Sequence, residues 1–395
     1  MNIAIIGCGY VADFYMATLR HYSDFSLAGA YDRDPSRLDA FTQHFGVRRY
    51  ASQDEVLNDT RVDMVLDLTN PRSHFDVTQA CLLAGKHVYS EKPLAMDGAQ
   101  AAALAGLAKQ RGLGLASAPC SMLGVACQTM WKALEDGAIG RVRLVYANFD
   151  AGMIHRMTPS RWRSVSGAPW PAKDEFETGC TYEHAPYVLS WLAAFFGPAL
   201  RVTAFASCQV PGKGIPLDTA APDFSVGLIE YDDDIVARIT CSVVAPSDKS
   251  ITIIGDAGIL RVRNLRNDAS PVTIMRTPPS RIAPGIRARL QLMAERVEHV
   301  FDLPWSVSAP VVERRVKPAF RPRFLSSGAN KPVDFMTGPH ELAQSIREGR
   351  ACRLSPELGV HLTELIETLQ YPERFDRTRT LRSRFDPIAP LPWTV

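Results

Sequence analysis

Ile3-Ala4-Ile5-Ile6-Gly7-Cys8-Gly9-Tyr10-Val11-Ala12-Asp13-Phe14-Tyr15 stands almost at the start of the chain, and the rest is read from it. The apolar run Ile3 to Ile6 has the character of a buried strand, and the glycines after it punctuate a turn into a helix. In such a turn Gly7 permits the tight bend, Gly9 lets a pyrophosphate approach the backbone, and Ala12 allows helix and strand to pack closely. The free N–H groups at the helix start, around Tyr10 and Val11, then present a site for an anion. A second strand, Phe25 to Tyr31, ends at Asp32, about twenty residues beyond the turn, where a carboxylate accepts hydrogen bonds from a ribose 2′-hydroxyl. Asp32 has a second reading as a cap for the helix start Asp34-Pro35-Ser36. The order of strand, turn, helix, strand and acid predicts dinucleotide binding by Gly7, Gly9, Tyr10, Val11, Ala12 and Asp32. Asp32 favours NAD, because it repels a 2′-phosphate, whereas adjacent Arg33 offers that phosphate a partner and keeps NADP open.

A chain of 395 residues exceeds the usual single-domain size, and its 46% hydrophobic content is ample for packed cores. With 44 basic and 42 acidic residues the formal charge is +2, which makes no case for nucleic acid or a membrane surface; a small-molecule partner is expected. Eight scattered cysteines with no Cys-x-x-Cys pair, and no clustered histidines, argue against structural zinc and a disulfide framework, and no metal site is expected. The first strand begins beside Met1 without a charged leader, and no apolar run approaches the eighteen or so residues of a membrane span. A cytoplasmic location is the resulting expectation.

Helical spacing of Leu38, Phe41 and Phe45 ends at Gly46, and Ser52-Gln53-Asp54-Glu55 is a capping box. Val62 to Thr69 is the next strand, with a helix from about Ser73 to Leu83. His87 to Ser90 is another strand and delivers Glu91-Lys92-Pro93. A helix from about Gly98 to Gln110 and a strand from Leu113 to Ser117 complete the alternation. Such alternation implies a doubly wound parallel sheet, a Rossmann domain over 1–121, whose crevice lies at the C-terminal strand ends. Gly7, Asp32, Asn70, Glu91, Lys92 and Pro119 all fall there.

From 122 the pattern changes. A helix, Val125 to Glu135, leads to a strand from Arg141 to Phe149, and 150–178 reads as an irregular segment of the length that usually carries function or mobility. Trp162 and Lys173 within it are candidates for substrate contact. A helix from about Tyr182 to Phe196 is followed by five strands: Arg201 to Cys208, Phe224 to Tyr231, Ile235 to Val244, Ser250 to Ile254 and Ile259 to Arg263. Turn signals at Asp232-Asp233-Asp234 and Asp256-Ala257-Gly258 imply hairpins, hence an α+β domain on an open antiparallel sheet. Residues 266–330 read as a surface insertion with one amphipathic helix near Ile286 to Val300. Gly338 to Gly349 and Glu357 to Leu369 close the chain as helices.

Two residues stand out chemically. Lys92 is held extended before Pro93, and partial desolvation beside a cationic nicotinamide lowers its expected pKa enough to shuttle a hydroxyl proton. Glu91 orients it or holds the cofactor; the alternative is a surface Glu-Lys pair. His184 starts a mostly apolar helix among Tyr182, Glu183 and Tyr187, and is either a packing residue or a catalyst.

In order along the chain, Gly7-x-Gly9-x-x-Ala12, Asp32, Thr69-Asn70-Pro71-x-x-His74, Ala84-Gly85-Lys86-His87-Val88, Glu91-Lys92-Pro93 and Gly137-x-Ile139-Gly140 resemble the Gfo/Idh/MocA oxidoreductases. The resemblance covers nearly the whole chain, 266–330 being least similar. It implies a carbohydrate or cyclitol substrate over the open sheet, cofactor contacts from Thr69, Asn70, Pro71, His74, Glu91 and Lys92, and a homodimer or homotetramer. It also implies that Lys92 is the main acid/base residue and that His184 binds the substrate hydroxyl. Many relatives carry an aspartate four residues before that histidine and another three after it; here these are Cys180 and Tyr187, with Glu183, Tyr182 or Lys173 as substitutes. Three activities remain open: a sugar or inositol dehydrogenase, a redox-neutral lyase or glycosidase-type enzyme with retained NAD, and a non-catalytic sensor, which the retention of Lys92 and His184 disfavours.

Overall fold

In the computed structural model, residues 1–276, 285, 289, 293, 313–320, 333–376 and 378–393 are described. Strand β1 (Asn2–Ile6) is buried from Ile3 onward and lies between β2 (Ser26–Tyr31) and β3 (Met64–Asp67), both parallel to it. With β4 (His87–Ser90) and β5 (Leu115–Ser117) the parallel sheet has the order β2-β1-β3-β4-β5. Helices α1 (Ala12–Leu19), α2 (Pro35–Phe45), α3 (Gln53–Asn58), α4 (His74–Leu83) and α5 (Gly98–Arg111) form the crossovers. The strand order reverses direction between β1 and β3, so a crevice opens beyond their C-terminal ends. Gly7 stands in it at φ +99°, and a Cβ there would lie 2.6 Å from the Leu68 carbonyl carbon. Only glycine lets the turns after β1 and β3 approach so closely.

After α6 (Val125–Glu135) the chain builds a nine-stranded sheet from β6 (Val142–Asp150), β7 (Arg201–Ser207), β8 (Phe224–Glu230), β9 (Val236–Ser242), β10 (Ile251–Gly255), β11 (Gly258–Val262), β12 (Val272–Arg276), β13 (Arg314–Arg315) and β14 (Thr378–Thr380). Its order is β13-β12-β11-β10-β6-β9-β8-β7-β14. The expected hairpins form, β8 to β9 through Asp232–Asp234 and β10 to β11 through Asp256 and Ala257. One pairing departs from the antiparallel expectation, because β6 and β9 run parallel from Leu144↔Val236 to Asp150↔Ser242. The reason is the helical crossover after β6, formed by α7 (Ala172–Thr178) and α8 (Cys180–Phe196), which brings the chain back in the same direction.

The segment read as irregular thus contains α7. Within 266–330, read as a surface insertion, β12 and β13 extend the sheet; the helix expected near Ile286 to Val300 lies outside the described residues apart from helical positions 289 and 293. The closing helices α9 (Thr337–Glu348) and α10 (Pro356–Gln370) turn back onto the first domain, α10 packing on both α5 and α8. Its last residue, Gln370, is buried, accepts from the Thr181 amide at 3.2 Å and donates to the Thr178 carbonyl at 2.6 Å, which seats the start of α8. Gly179, at φ +95°, gives the close approach this needs. Among the described residues no helix is long and apolar enough to cross a membrane.

Candidate active site

At the glycine turn a Cβ on Gly9 would meet nothing within 4 Å, so the backbone lies open where a diphosphate must approach. Ala12 is fully buried, as close helix packing requires, and the Val11 start of α1 has no side-chain cap. These features fit a dinucleotide. Asp32 is buried at the end of β2; its carboxylate accepts from the Cys8 and Asp34 amides, both at 2.8 Å, so it is aimed at the turn from across the crevice. Arg33 is exposed, and the cation that faces Asp32 is instead Arg37 at 3.7 Å, which also pairs with Asp34.

Beyond β3 and β4 the next residues converge. Thr69 Oγ1 donates to Asp67 at 2.6 Å, and Asn70 Nδ2 reaches Asp174 of α7 at 3.4 Å. Pro71 opens a short 3-10 turn ahead of α4. Buried Glu91 accepts from the Tyr15 hydroxyl at 2.8 Å and from the Lys92 amide at 3.1 Å, tying α1 to the end of β4. Lys92 Nζ forms an ion pair with Glu183 of α8, and both side chains are almost wholly enclosed. Burial works against the Lys92 ammonium, but Glu183, with Tyr187, Glu175 and Glu91 behind it, outweighs that penalty and raises its pKa. The expectation of a lowered pKa is therefore corrected: desolvation is present, but a carboxylate accompanies it.

His184, next along α8, is buried and stacks on Phe149 with ring centroids 4.8 Å apart and planes 12° from parallel. Tyr187 stacks on the same phenylalanine at 5.2 Å. Burial, then the charges of Lys92, Arg266 and Lys249, hold the histidine's pKa well below its ordinary value, so the ring is neutral. Its Nδ1 is buried and has no partner among the described residues. A neutral imidazole with one uncommitted nitrogen beside a charged lysine suits hydroxyl recognition.

Other expected residues lie elsewhere. His74 is wholly buried, with one ring nitrogen 2.6 Å from the Pro93 carbonyl and the other 3.1 Å from that of Thr69; both are spent fixing those two turns, leaving none for a cofactor. Lys173 is exposed and pairs with Asp218 at 2.7 Å. Cys180 is buried with its Sγ against the Cys241 carbonyl, and burial pushes the thiol up to about 12. Buried Tyr182 donates to the Met96 carbonyl, which commits its hydroxyl. Trp162 packs edge-on against Trp170 at 5.1 Å and stiffens its own segment. Of the proposed substitutes for the absent aspartates, Glu183 alone pairs with Lys92.

Several site residues were not foreseen. Half-buried Glu175 on α7 is pushed up to about 8, chiefly by burial and then by the charge of Glu183. Its sequence signal was the acidic first turn behind Pro171, a helix start inside a stretch read as irregular. Asp13, in the first turn of α1, is buried and accepts from the amide and hydroxyl of Ser166, at 2.7 and 2.9 Å. Segment 164–167 is thereby tied to the helix that follows the glycine turn. Among the described residues no group of three His, Cys, Asp or Glu side chains is placed to hold a metal ion.

Residues 1–118 match the model described as "Oxidoreductase family, NAD-binding Rossmann fold", and residues 127–261 match the "GFO/IDH/MocA C-terminal domain". The chain belongs to the GFO/IDH/MocA oxidoreductase family. This family comprises NAD(P)-dependent oxidoreductases, and the first domain is its NAD-binding module. Trans-1,2-dihydrobenzene-1,2-diol dehydrogenase of Mus musculus is 23% identical over 264 residues, spanning 66% of this chain and 74% of its own. The Homo sapiens enzyme of that name is 24% identical over 267 residues, 66% and 73% of the two chains. Among solved structures, aldose-aldose oxidoreductase from Caulobacter crescentus, complexed with glycerol, superposes with a TM-score of 0.72 at 19% identity, over 96% of this chain and 99% of its own. The WlbA dehydrogenase from Bordetella pertussis, in complex with NADH and UDP-GlcNAcA, gives 0.67 at 17% identity over 97% and 98%. For this GFO/IDH/MocA chain, likenesses at that identity speak for the fold alone.

The elevated Glu175 has a consequence for stability. An acid whose folded pKa stands near 8, against an ordinary 4.5, contributes stability that is complete below about pH 4.5 and lost as the pH rises through 8. Urea melts at pH 5.5 and 8.5 are expected to show a larger fall between the two pH values in the wild type than in Glu175→Gln. Equal falls would contradict the buried acid.

Proposed function

We propose that the chain is an NAD-dependent dehydrogenase or reductase acting on a hydroxyl or keto carbon of a sugar, sugar derivative or inositol, with Lys92 as acid/base. The observation that carries this reading is the enclosed Lys92–Glu183 pair beside the uncommitted Nδ1 of His184. Gly7, Gly9, Val11, Ala12 and Asp32 would hold the dinucleotide, with Thr69, Asn70 and Glu91 bounding its nicotinamide end. The nicotinamide, when bound, supplies the two-electron acceptor or donor. His184 orients the substrate hydroxyl, Lys92 accepts its proton, and Glu183 receives a proton from the ammonium so that the amine is free to act. Glu183 thus takes the place of the missing aspartates, and Glu175, protonated near neutrality, lies next along that route.

Proton transfer by a positioned side chain is worth roughly 10²–10⁴-fold. Lys92→Met is expected to lower kcat about a thousandfold while NAD affinity, measured by calorimetry, changes by only a few-fold. A variant that turns over at the wild-type rate would remove Lys92 from the chemistry.

The tie between Asp13 and Ser166 favours a second reading, in which the cofactor stays bound and the net reaction is redox-neutral. It predicts that NAD copurifies and is released only on denaturation. A hydrogen bond to a charged group is worth about 1.5–3 kcal/mol, so Ser166→Ala should speed cofactor release roughly tenfold or more. A wild-type protein that arrives empty and exchanges NAD freely speaks for the ordinary dehydrogenase.

The sheet face turned away from the helices exposes Leu144, Tyr146, Phe205 and Leu228. We assign this apolar surface to a homodimer or homotetramer contact. Light scattering should give a multiple of the 43.5 kDa chain mass, falling to one chain in Leu228→Asp. A monomeric wild type would refute the assignment.

A further inference from the structure

Charges around the aromatic stack are unequal. Lys249 follows the bridge between Asp150 and Asp248, and its carbonyl accepts from the Leu265 amide at 2.9 Å, so Lys249 and Arg266 are carried on neighbouring segments. Lys249 Nζ lies 5.9 Å from the Phe149 ring centroid, and the Arg266 guanidinium sits 4.2 Å over the Tyr187 ring. Both therefore bracket the stack that carries His184, and both depress its pKa. Arg266, Tyr187 and Glu91 also line one cleft of about 360 Å³, part of it open to solvent.

Lys92 and Lys213 have carboxylate partners, Glu183 and Asp223, and buried Lys86 donates to the Asp59 and Val62 carbonyls at 2.8 and 2.9 Å. Lys249 and Arg266, both partly buried, have none within ion-pairing distance among the described residues. Burial, then the charge of Arg266, pulls Lys249 below the ordinary lysine pKa. The acids around Arg266 offset little of this, because Asp268 is pushed up to about 7 and Glu175 to about 8, chiefly by burial. Two like charges held close and stripped of water cost free energy unless an anion joins them. Cation–π contact with Phe149 and Tyr187 offsets part of that cost and leaves the charged ends able to take a ligand. A guanidinium with an ammonium beside it suits a carboxylate or phosphate oxygen pair.

We propose that the substrate is an acidic sugar or sugar derivative whose anionic group, carboxylate or phosphate, is bound by Arg266 and Lys249 at the aromatic stack that carries His184. The proposal rests on the dehydrogenase reading only for the place of the sugar ring. The anion site itself stands on the two cations.

The experiment measures binding to the NADH-loaded protein through nicotinamide fluorescence, with D-glucuronate, glucose 6-phosphate, D-glucose and myo-inositol as probes, and tests the same compounds for turnover with NAD. Saturable binding of an acidic probe is expected at least tenfold tighter than that of D-glucose. The advantage should fall at least tenfold in Arg266→Met and in Lys249→Met, each checked by circular dichroism for native fold. The stronger of the two acidic probes tells carboxylate from phosphate. Equal binding of acidic and neutral probes, anion binding unchanged in both variants, or no saturable anion binding at all would overturn the proposal. Anion binding that depends on both cations without nicotinamide reduction leaves the site standing and counts against the dehydrogenase reading. Turnover of a neutral sugar without any anion preference does the reverse.

Discussion

Everything at the crevice depends on the ion pair between Lys92 and Glu183, because the partners come from different domains. Lys92 is delivered by the end of a parallel strand, and Glu183 by the first turn of the helix crossing to the second sheet, where the helix dipole also favours an acid. A charge buried alone costs several kcal/mol, so each side chain makes the enclosure of the other tolerable. The two domains must be together for that compensation to exist, which couples the site to their relative position. Glu91 adds a second tie, joining Tyr15 of α1 to the Lys92 amide.

Around the pair the fold builds a low-dielectric wall from His184, Phe149 and Tyr187. The wall withdraws water from the histidine and keeps it neutral, while the carboxylates keep the lysine charged. Two neighbouring groups are thereby driven to opposite ends of their titration ranges, the condition under which one serves as proton carrier and the other as an uncharged ligand. Arg266 and Lys249 then sit on the rim of the same wall with a surplus of positive charge.

Local readings in the sequence proved durable where the physics is local. Gly7 announces its turn because no side chain suits its backbone, Gly9 and Ala12 leave the room that a diphosphate and close helix packing need, and the strands after Asp32 and before Lys92 carry their own apolar runs. Both hairpin turns were readable for the same reason. Pairing across the sheet was not, since the parallel register of β6 with β9 depends on a crossover of about fifty residues. On α8, Cys180, Tyr182, Glu183, His184 and Tyr187 were read as substrate contacts. The helix distributes them around its axis, sending Tyr182 to Met96 and Cys180 to the sheet while Glu183, His184 and Tyr187 reach the site.

By itself the sequence determined the dinucleotide half, the strand ends at which chemistry gathers, and the candidacy of Lys92 and His184, because glycine geometry and apolar periodicity act over a few residues. Only the tertiary structure decided which acid accompanies Lys92, that His74 is a clamp, and that Glu175, Phe149, Lys249 and Arg266 belong to the same site. Those residues lie tens to hundreds of positions apart. Their burial and the charges they meet, which set protonation and pairing, come into being when the sheets and helices close around them.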